Sequence, residues 1–220
     1  MISIYPSLIS SDITNLEQTI QKLEPYCQGF HLDIMDFHFV PTLEWSINAI
    51  NKIRKITNKK IHVHLMVEFP EKYIPLLDLH PYDIVSVHIE SPSTVSFEEL
   101  LKSIQLKQLI PSIAVNPYTP IESIIAVKFP LEHVLVVSST HEDSIPKFLP
   151  HTLDRIKQLS FFKKTHNLSF DISIDGAITT DNLKTVSESG TDEIVIASSI
   201  FGHNNPIERL KLIIDLTKTH

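Results

Sequence analysis

Apolar runs of strand length alternate with amphipathic stretches along the whole of this 220-residue chain, and that alternation restricts the possible folds more than any other feature. The runs predict strands at Ile2–Ile9, Gly29–Ile34, Lys60–Met66, Asp83–His88, Leu109–Val115, His133–Ser138, Leu168–Ile174 and Glu193–Ala197. The intervening apolar spacing predicts helices at Asp12–Leu23, Ser46–Ile56, Pro70–Leu77, Phe97–Ile104, Pro120–Val127, Lys147–Phe162, Thr180–Ser189 and Pro206–Thr217. Ser11 or Asp12 serves as an N-cap, and Pro70 stands where a missing N–H does no harm. Strand–helix alternation implies a parallel sheet. Eight units of about 27 residues each imply closure into a single-domain α/β (β/α)8 TIM barrel over residues 1–220, with a doubly wound sheet as the competing architecture. No composition shift or linker divides the chain.

In such a barrel chemistry sits at the carboxyl ends of the strands. Residues i and i+2 of a strand share a face, so His31 and Asp33 point the same way near the end of the second strand. His64 lies near the end of the third, and Asp175 directly follows the seventh. Taken alone, His31-Leu32-Asp33 is a hydrogen-bonded pair that fixes a loop, or half of a metal or acid/base site. The arrival of His64 and Asp175 at the same end favours a site. Two imidazoles and two carboxylates suit one borderline divalent ion (Zn, Fe(II), Mn or Co). Two aspartates on opposite sides of a substrate carbon can remove and return a proton. The residue types lead to metal-assisted proton transfer and no further.

The net charge of −7 offers no basic stripe for phosphate backbones, which argues against nucleic acid as a partner. It leaves room for a small anionic substrate held by local donors. The single cysteine, Cys27, fits a reducing compartment. The N-terminus lacks the basic flank and apolar run of a signal peptide, and no apolar window of membrane-spanning length occurs. The expectation is a cytoplasmic protein without membrane contact.

Seven segments stand in the order found in one family: Pro6-Ser7-Leu8-Ile9-Ser10-Ser11-Asp12; His31-Leu32-Asp33-Ile34-Met35-Asp36 with His38-Phe39-Val40-Pro41; His64-Leu65-Met66-Val67; His88-Ile89-Glu90; Asn116-Pro117-Tyr118-Thr119-Pro120; Asp175-Gly176; and Ser198-Ser199-Ile200-Phe201-Gly202. Over nearly its full length the chain resembles the ribulose-phosphate 3-epimerase family. The resemblance implies a barrel of the ribulose-phosphate-binding type, with His31, Asp33, His64 and Asp175 as metal ligands. Asp33 and Asp175 would also be the acid/base pair that inverts carbon 3 of a ketose phosphate through an enediolate, converting D-ribulose 5-phosphate to D-xylulose 5-phosphate. Ser7 and His64 would contact substrate, and Met35 and Met66 would line its pocket, unless they only fill the core. Gly176, Ala177, Ala197 and Ser198 would surround the phosphate. The resemblance also implies a homo-oligomer.

The chain departs from the family pattern in several places. A glycine-rich loop after the sixth strand is replaced by His141-Glu142-Asp143-Ser144-Ile145-Pro146. Ala177 and Ala197 stand where the family has glycine, Phe37 replaces a loop glycine, and Val137 replaces a pocket methionine. A non-glycine residue at position 37 is costly if φ is positive. His62 replaces an aspartate on the face that carries His64, and no role is assigned to it. Two further readings therefore stand beside the first: an epimerase of another ketose, or a barrel that binds metal or sugar phosphate without turnover.

Overall fold

Alternate residues of the strands occupy different surroundings, and this organises the molecule. The computed structural model describes residues 2–140 and 146–218. Its strands are β1 (Ser3–Pro6), β2 (Gly29–Asp36), β3 (Leu43–Glu44), β4 (Lys60–Met66), β5 (Ile84–His88), β6 (Ile110–Val115), β7 (His133–Val137), β8 (Asp171–Asp175) and β9 (Glu193–Ile196). They form one curled sheet in the order β1-β9-β8-β7-β6-β5-β4-β2-β3. All pairings are parallel except that of the short β3 with the end of β2. A parallel bridge between Ser7 and His31 brings β1 back to β2 and closes a (β/α)8 barrel. Gly29 is required at this seam, because a Cβ there would lie 2.3 Å from the Lys60 carbonyl oxygen and 2.5 Å from Cε1 of Tyr5.

Phe30, Leu32 and Ile34 of β2, Ile61, Val63 and Leu65 of β4, and Ile172 and Ile174 of β8 join the main apolar core. That core also takes Ile50 and Ile53 of α2, Leu100 and Ile104 of α3, and Ile156 and Leu159 of α5. It therefore lies between the barrel wall and the surrounding helices. The alternate residues point inward, and many are polar: His31, Asp33, His62, His64, Ser86, His88, Ser112, His133, Ser173 and Glu193, all buried.

The helices are α1 (Leu16–Leu23), α2 (Ile47–Arg54), α3 (Phe97–Leu106), α4 (Glu122–Ile125), α5 (His151–Thr165), α6 (Leu183–Ser187), α7 (Ser198–Phe201) and α8 (Pro206–Lys218). A capping box between Ser96 and Glu99 starts α3. The stretch expected to be helical at 70–77 is instead two 3-10 turns, Pro70–Lys72 and Ile74–Leu76. Pro75 has no N–H to continue an α-helix begun at Pro70. Likewise α5 starts at His151, immediately after Pro150, and β1 ends at Pro6 before a 3-10 turn at Leu8–Ser10. The β2–β3 hairpin carries no apolar period and was not expected.

The end of the barrel at the amino termini of β4 and β5 is tied by a buried ion pair. Arg54 Nη1 donates to Asp83 Oδ1 at 2.9 Å and Oδ2 at 3.0 Å, while Nη2 donates to the carbonyls of Thr57 and Lys59. Asp83 also accepts from the backbone N–H groups of Ile61 (2.8 Å) and His80 (2.9 Å). Among the described residues no helix is long and apolar enough to cross a membrane.

Candidate active site

At the opposite end, β2, β4 and β8 bring His31, Asp33, His64 and Asp175 together. One ligand atom from each lies within 4.8 Å of all the others. His31 Nε2 is 3.0 Å from Asp33 Oδ1 and 3.7 Å from Asp175 Oδ2. His64 Nδ1 is 3.4 Å from Asp33 Oδ1 and 3.5 Å from Asp175 Oδ2. Both histidines are fully buried, Asp33 nearly so, and the Asp175 side chain keeps 20% of its surface exposed. Asp175 is the last residue of β8 rather than the first after it.

Neighbouring groups fix the orientation of each side chain. Ser7, which closes the barrel against His31, donates Oγ–H to Asp33 Oδ2 at 2.8 Å. That holds Asp33 Oδ1 toward the two imidazoles. His64 Nε2 lies 2.8 Å from His88 Nε2, and His88 Nδ1 lies 3.1 Å from Glu90 Oε2. Glu90 in turn accepts from the Asn116 N–H and the Thr119 hydroxyl. A carboxylate takes the His88 Nδ1 proton, so His88 Nε2 is an acceptor and His64 Nε2 must donate to it. In the neutral ring this network leaves the lone pair on His64 Nδ1, on the side facing the two aspartates. Carboxylate–histidine chains of this kind orient metal-binding imidazoles.

The electrostatics favour positive charge in the centre. Burial alone would raise the Asp33 carboxyl, but His31 beside it and hydrogen bonds from His31 and His64 hold it well below the usual carboxylate range. Burial opposes charge on His64. Asp175 and Asp33 outweigh that burial and push its imidazole up to about 9. Yet at 3.4–3.5 Å neither carboxylate hydrogen-bonds Nδ1, which is buried without a partner. A divalent ion fits this donor set: two imidazole nitrogens and two carboxylates around a space that attracts a cation and lacks one good hydrogen bond.

Above the cluster is a cavity of about 300 Å³. Ser7, Met35, Met66, Gly176, Ala177, Ala197 and Ser198 line it together with Asp33 and Asp175, whereas His31 and His64 lie beneath its floor. Met35 and Met66 form a small apolar cluster with Val40, separate from the main core, so they pack and line the cavity at once. Ile9, Ser139, Pro146, Ile178 and Val195 also contribute to the wall; Ile9 and Pro146 lie in segments the sequence marks, whereas nothing in the sequence points to Ser139, Ile178 or Val195. Gly176 sits at φ +121°, and a Cβ there would meet Ser139 Oγ at 2.4 Å. Ala177 has φ 52° and Phe37 has φ 63°, left-handed conformations that glycine adopts more readily. The altered loop lies outside the described residues apart from Pro146. His62, left without a role by the sequence, sits one tier below, its ring edge-on to His31 with centroids 4.5 Å apart.

The ribulose-phosphate 3 epimerase family model matches residues 3–201. The chain is 33% identical to the cytoplasmic isoform of ribulose-phosphate 3-epimerase from Oryza sativa subsp. japonica, over 93% of this chain and 90% of that protein. It is 31% identical to ribulose-phosphate 3-epimerase from Methanocaldococcus jannaschii, over 93% and 86% respectively. Among solved structures, 3-hexulose-6-phosphate synthase from Salmonella typhimurium superposes with a TM-score of 0.72, covering all of both chains at 12% identity. At that identity the likeness shows the fold alone.

Proposed function

Because the chain belongs to the ribulose-phosphate 3-epimerase family, a family of isomerases, we propose that it inverts carbon 3 of D-ribulose 5-phosphate to give D-xylulose 5-phosphate. In this reading residues 1–220 form one catalytic domain that self-associates. The observation that supports it most is the placement of two carboxylates from separate strands of the barrel, Asp33 on β2 and Asp175 on β8, around a single imidazole. One aspartate takes the proton from carbon 3 on one face of the substrate. The other delivers a proton to the opposite face, and the centre inverts. For the reverse reaction the two exchange roles.

His31, Asp33, His64 and Asp175 would hold the divalent ion, whose charge would stabilise the enediolate oxygens. Ser7 keeps Asp33 oriented through its 2.8 Å hydrogen bond, and the His64–His88–Glu90 chain keeps His64 facing the aspartates. Met35, Met66, Val137 and Ile178 give the reacting carbon an apolar surround and limit the water that could reprotonate it on the wrong face. The main chain at Gly176–Ala177 and Ala197–Ser198 lies at one side of the cavity, where backbone N–H groups suit a phosphate. The methyl groups of Ala177 and Ala197 at that corner favour a second reading, in which the substrate is a different ketose or ketose phosphate.

Proton NMR of ribulose 5-phosphate in D2O, with zinc, manganese or ferrous iron supplied in turn, tests the proposal. Deuterium at carbon 3 together with xylulose 5-phosphate is expected, and Asp175→Asn should abolish both. Exchange that persists in Asp175→Asn would overturn the acid/base assignment. Turnover of another ketose, with ribulose 5-phosphate inert, would favour the second reading.

A further inference from the structure

Beneath the active-site cluster, further down the barrel, lies a second group of metal-ligand residues that the proposed reaction does not use. His62 of β4, His133 of β7 and Glu193 of β9 converge from three strands, with one ligand atom from each within 4.8 Å of the others. They are 0%, 2% and 5% exposed. Two imidazoles and a glutamate are a common protein ligand set for zinc.

The two imidazoles are held by one clamp. Ser86 Oγ lies 2.6 Å from His62 Nε2 and donates to Ser112 Oγ at 2.7 Å. Ser112 Oγ lies 2.7 Å from His133 Nδ1. One nitrogen of each ring is thereby engaged; His62 Nδ1 is on offer as a ligand atom, and an ion bound at His133 Nε2 would replace the proton that this nitrogen donates to Glu193. His133 Nε2 lies 3.0 Å from Glu193 Oε2. Two ligand atoms of a four-coordinate zinc, with bonds of about 2.0–2.2 Å, are separated by roughly 3.4 Å, so this pair already stands near the spacing an ion needs. His62 Nδ1 is buried and has no hydrogen-bond partner. Ser173 Oγ is a second orphan in the same interior. It faces inward between Ile172 and Ile174, in register with Glu193. Two unsatisfied buried polar atoms beside a buried carboxylate are costly unless something binds them. Glu193 is ion-paired to His133 and accepts a hydrogen bond from the Tyr5 hydroxyl.

We propose that His62, His133 and Glu193 form a second, internal divalent-metal site with a His2Glu ligand set, separate from the one at the mouth of the barrel. Such an ion gives the Glu193 carboxylate a counter-charge and His62 Nδ1 a partner. It pins β4, β7 and β9 together across the interior.

The test is metal stoichiometry on protein produced with zinc, measured by elemental analysis after gel filtration, for the wild type, Glu193→Gln and Asp175→Asn. Two equivalents of zinc per chain are expected in the wild type and one in each variant, since each variant empties a different site. Anomalous scattering at the zinc edge should place one ion between His133 and Glu193, which decides the question even if Glu193→Gln fails to fold. If only the mouth site fails, one equivalent remains that Glu193→Gln removes and Asp175→Asn spares. A single wild-type equivalent that Asp175→Asn removes, with no anomalous peak beside Glu193, would overturn the proposal and leave a hydrogen-bonded polar tier.

Discussion

Replacing Asp83 by alanine should reduce stability sharply while sparing chemistry. Asp83 and Arg54 are each 2% exposed, so neither charge has water to fall back on. The substitution removes both oxygens that accept from Arg54 Nη1 and strands the backbone N–H groups of Ile61 and His80. Breaking a buried pair by removing one partner costs roughly 3–5 kcal/mol. Each stranded buried donor costs about 1–3 kcal/mol more. Water entering the space left by the carboxylate will recover part of this, so the net loss should be about 5 kcal/mol. For a chain of this size 1 kcal/mol shifts Tm by about 2–4 °C, which predicts a fall of about 10–20 °C. Asp83→Asn keeps an acceptor for one stranded donor and should lose about half as much. Urea unfolding followed by circular dichroism gives the free energy. Turnover at 20 °C should be unchanged, because the pair lies at the amino ends of β4 and β5 and the cavity at the carboxyl ends of the strands. An Asp83→Ala protein within about 1 kcal/mol of wild type would refute the view that this pair is desolvated and closes its end of the barrel.

Three other substitutions or probes bear on separate features. Phe37 is 62% exposed at φ 63°, so Phe37→Gly should relieve about 1–2 kcal/mol of left-handed strain and lose about 0.5–1 to backbone entropy. A net gain, read as a higher urea midpoint, is expected. His88→Phe removes the acceptor at His64 Nε2 and should weaken metal binding about 10- to 100-fold by competition against a chelator; unchanged affinity would sink the tautomer argument. Burial pushes the Cys27 thiol up to about 12, so it stays protonated at pH 8. A thiol reagent should label it only as fast as the protein unfolds, and rapid stoichiometric labelling of folded protein would contradict that.

The barrel was legible in the sequence because its outward-facing strand residues are Val, Ile, Leu and Phe in short runs, and that signal survives without knowledge of neighbours. The 70–77 segment misled because Pro70 reads as a helix start while Pro75 stops any α-helix five residues later. The two-residue β3 is too short to show a period. Asp33, His64 and Asp175 were legible as a group because they fall at the carboxyl ends of their strands, where barrel geometry gathers residues far apart in sequence. His62, His133 and Glu193 were not. His62 stands between apolar neighbours, and His133 and Glu193 follow other polar residues where polar side chains are ordinary at a strand start; only the tilt and closure of the strands bring them face to face. The clamp formed by Ser86 and Ser112 was hidden for the same reason.

The core that wraps the outside of the barrel wall separates two kinds of inheritance on one strand. Odd and even positions meet different physical demands: one set holds the helices on, the other decides what the tube can bind. Inward substitutions that keep the buried polar groups paired leave the helix-facing core intact, which gives this scaffold room to acquire new chemistry without being rebuilt. The same arrangement makes it intolerant of length change. Deleting one residue within β4 would turn Ile61 and Val63 into the tube and His62 and His64 out against the helices, and folding and binding would be lost together.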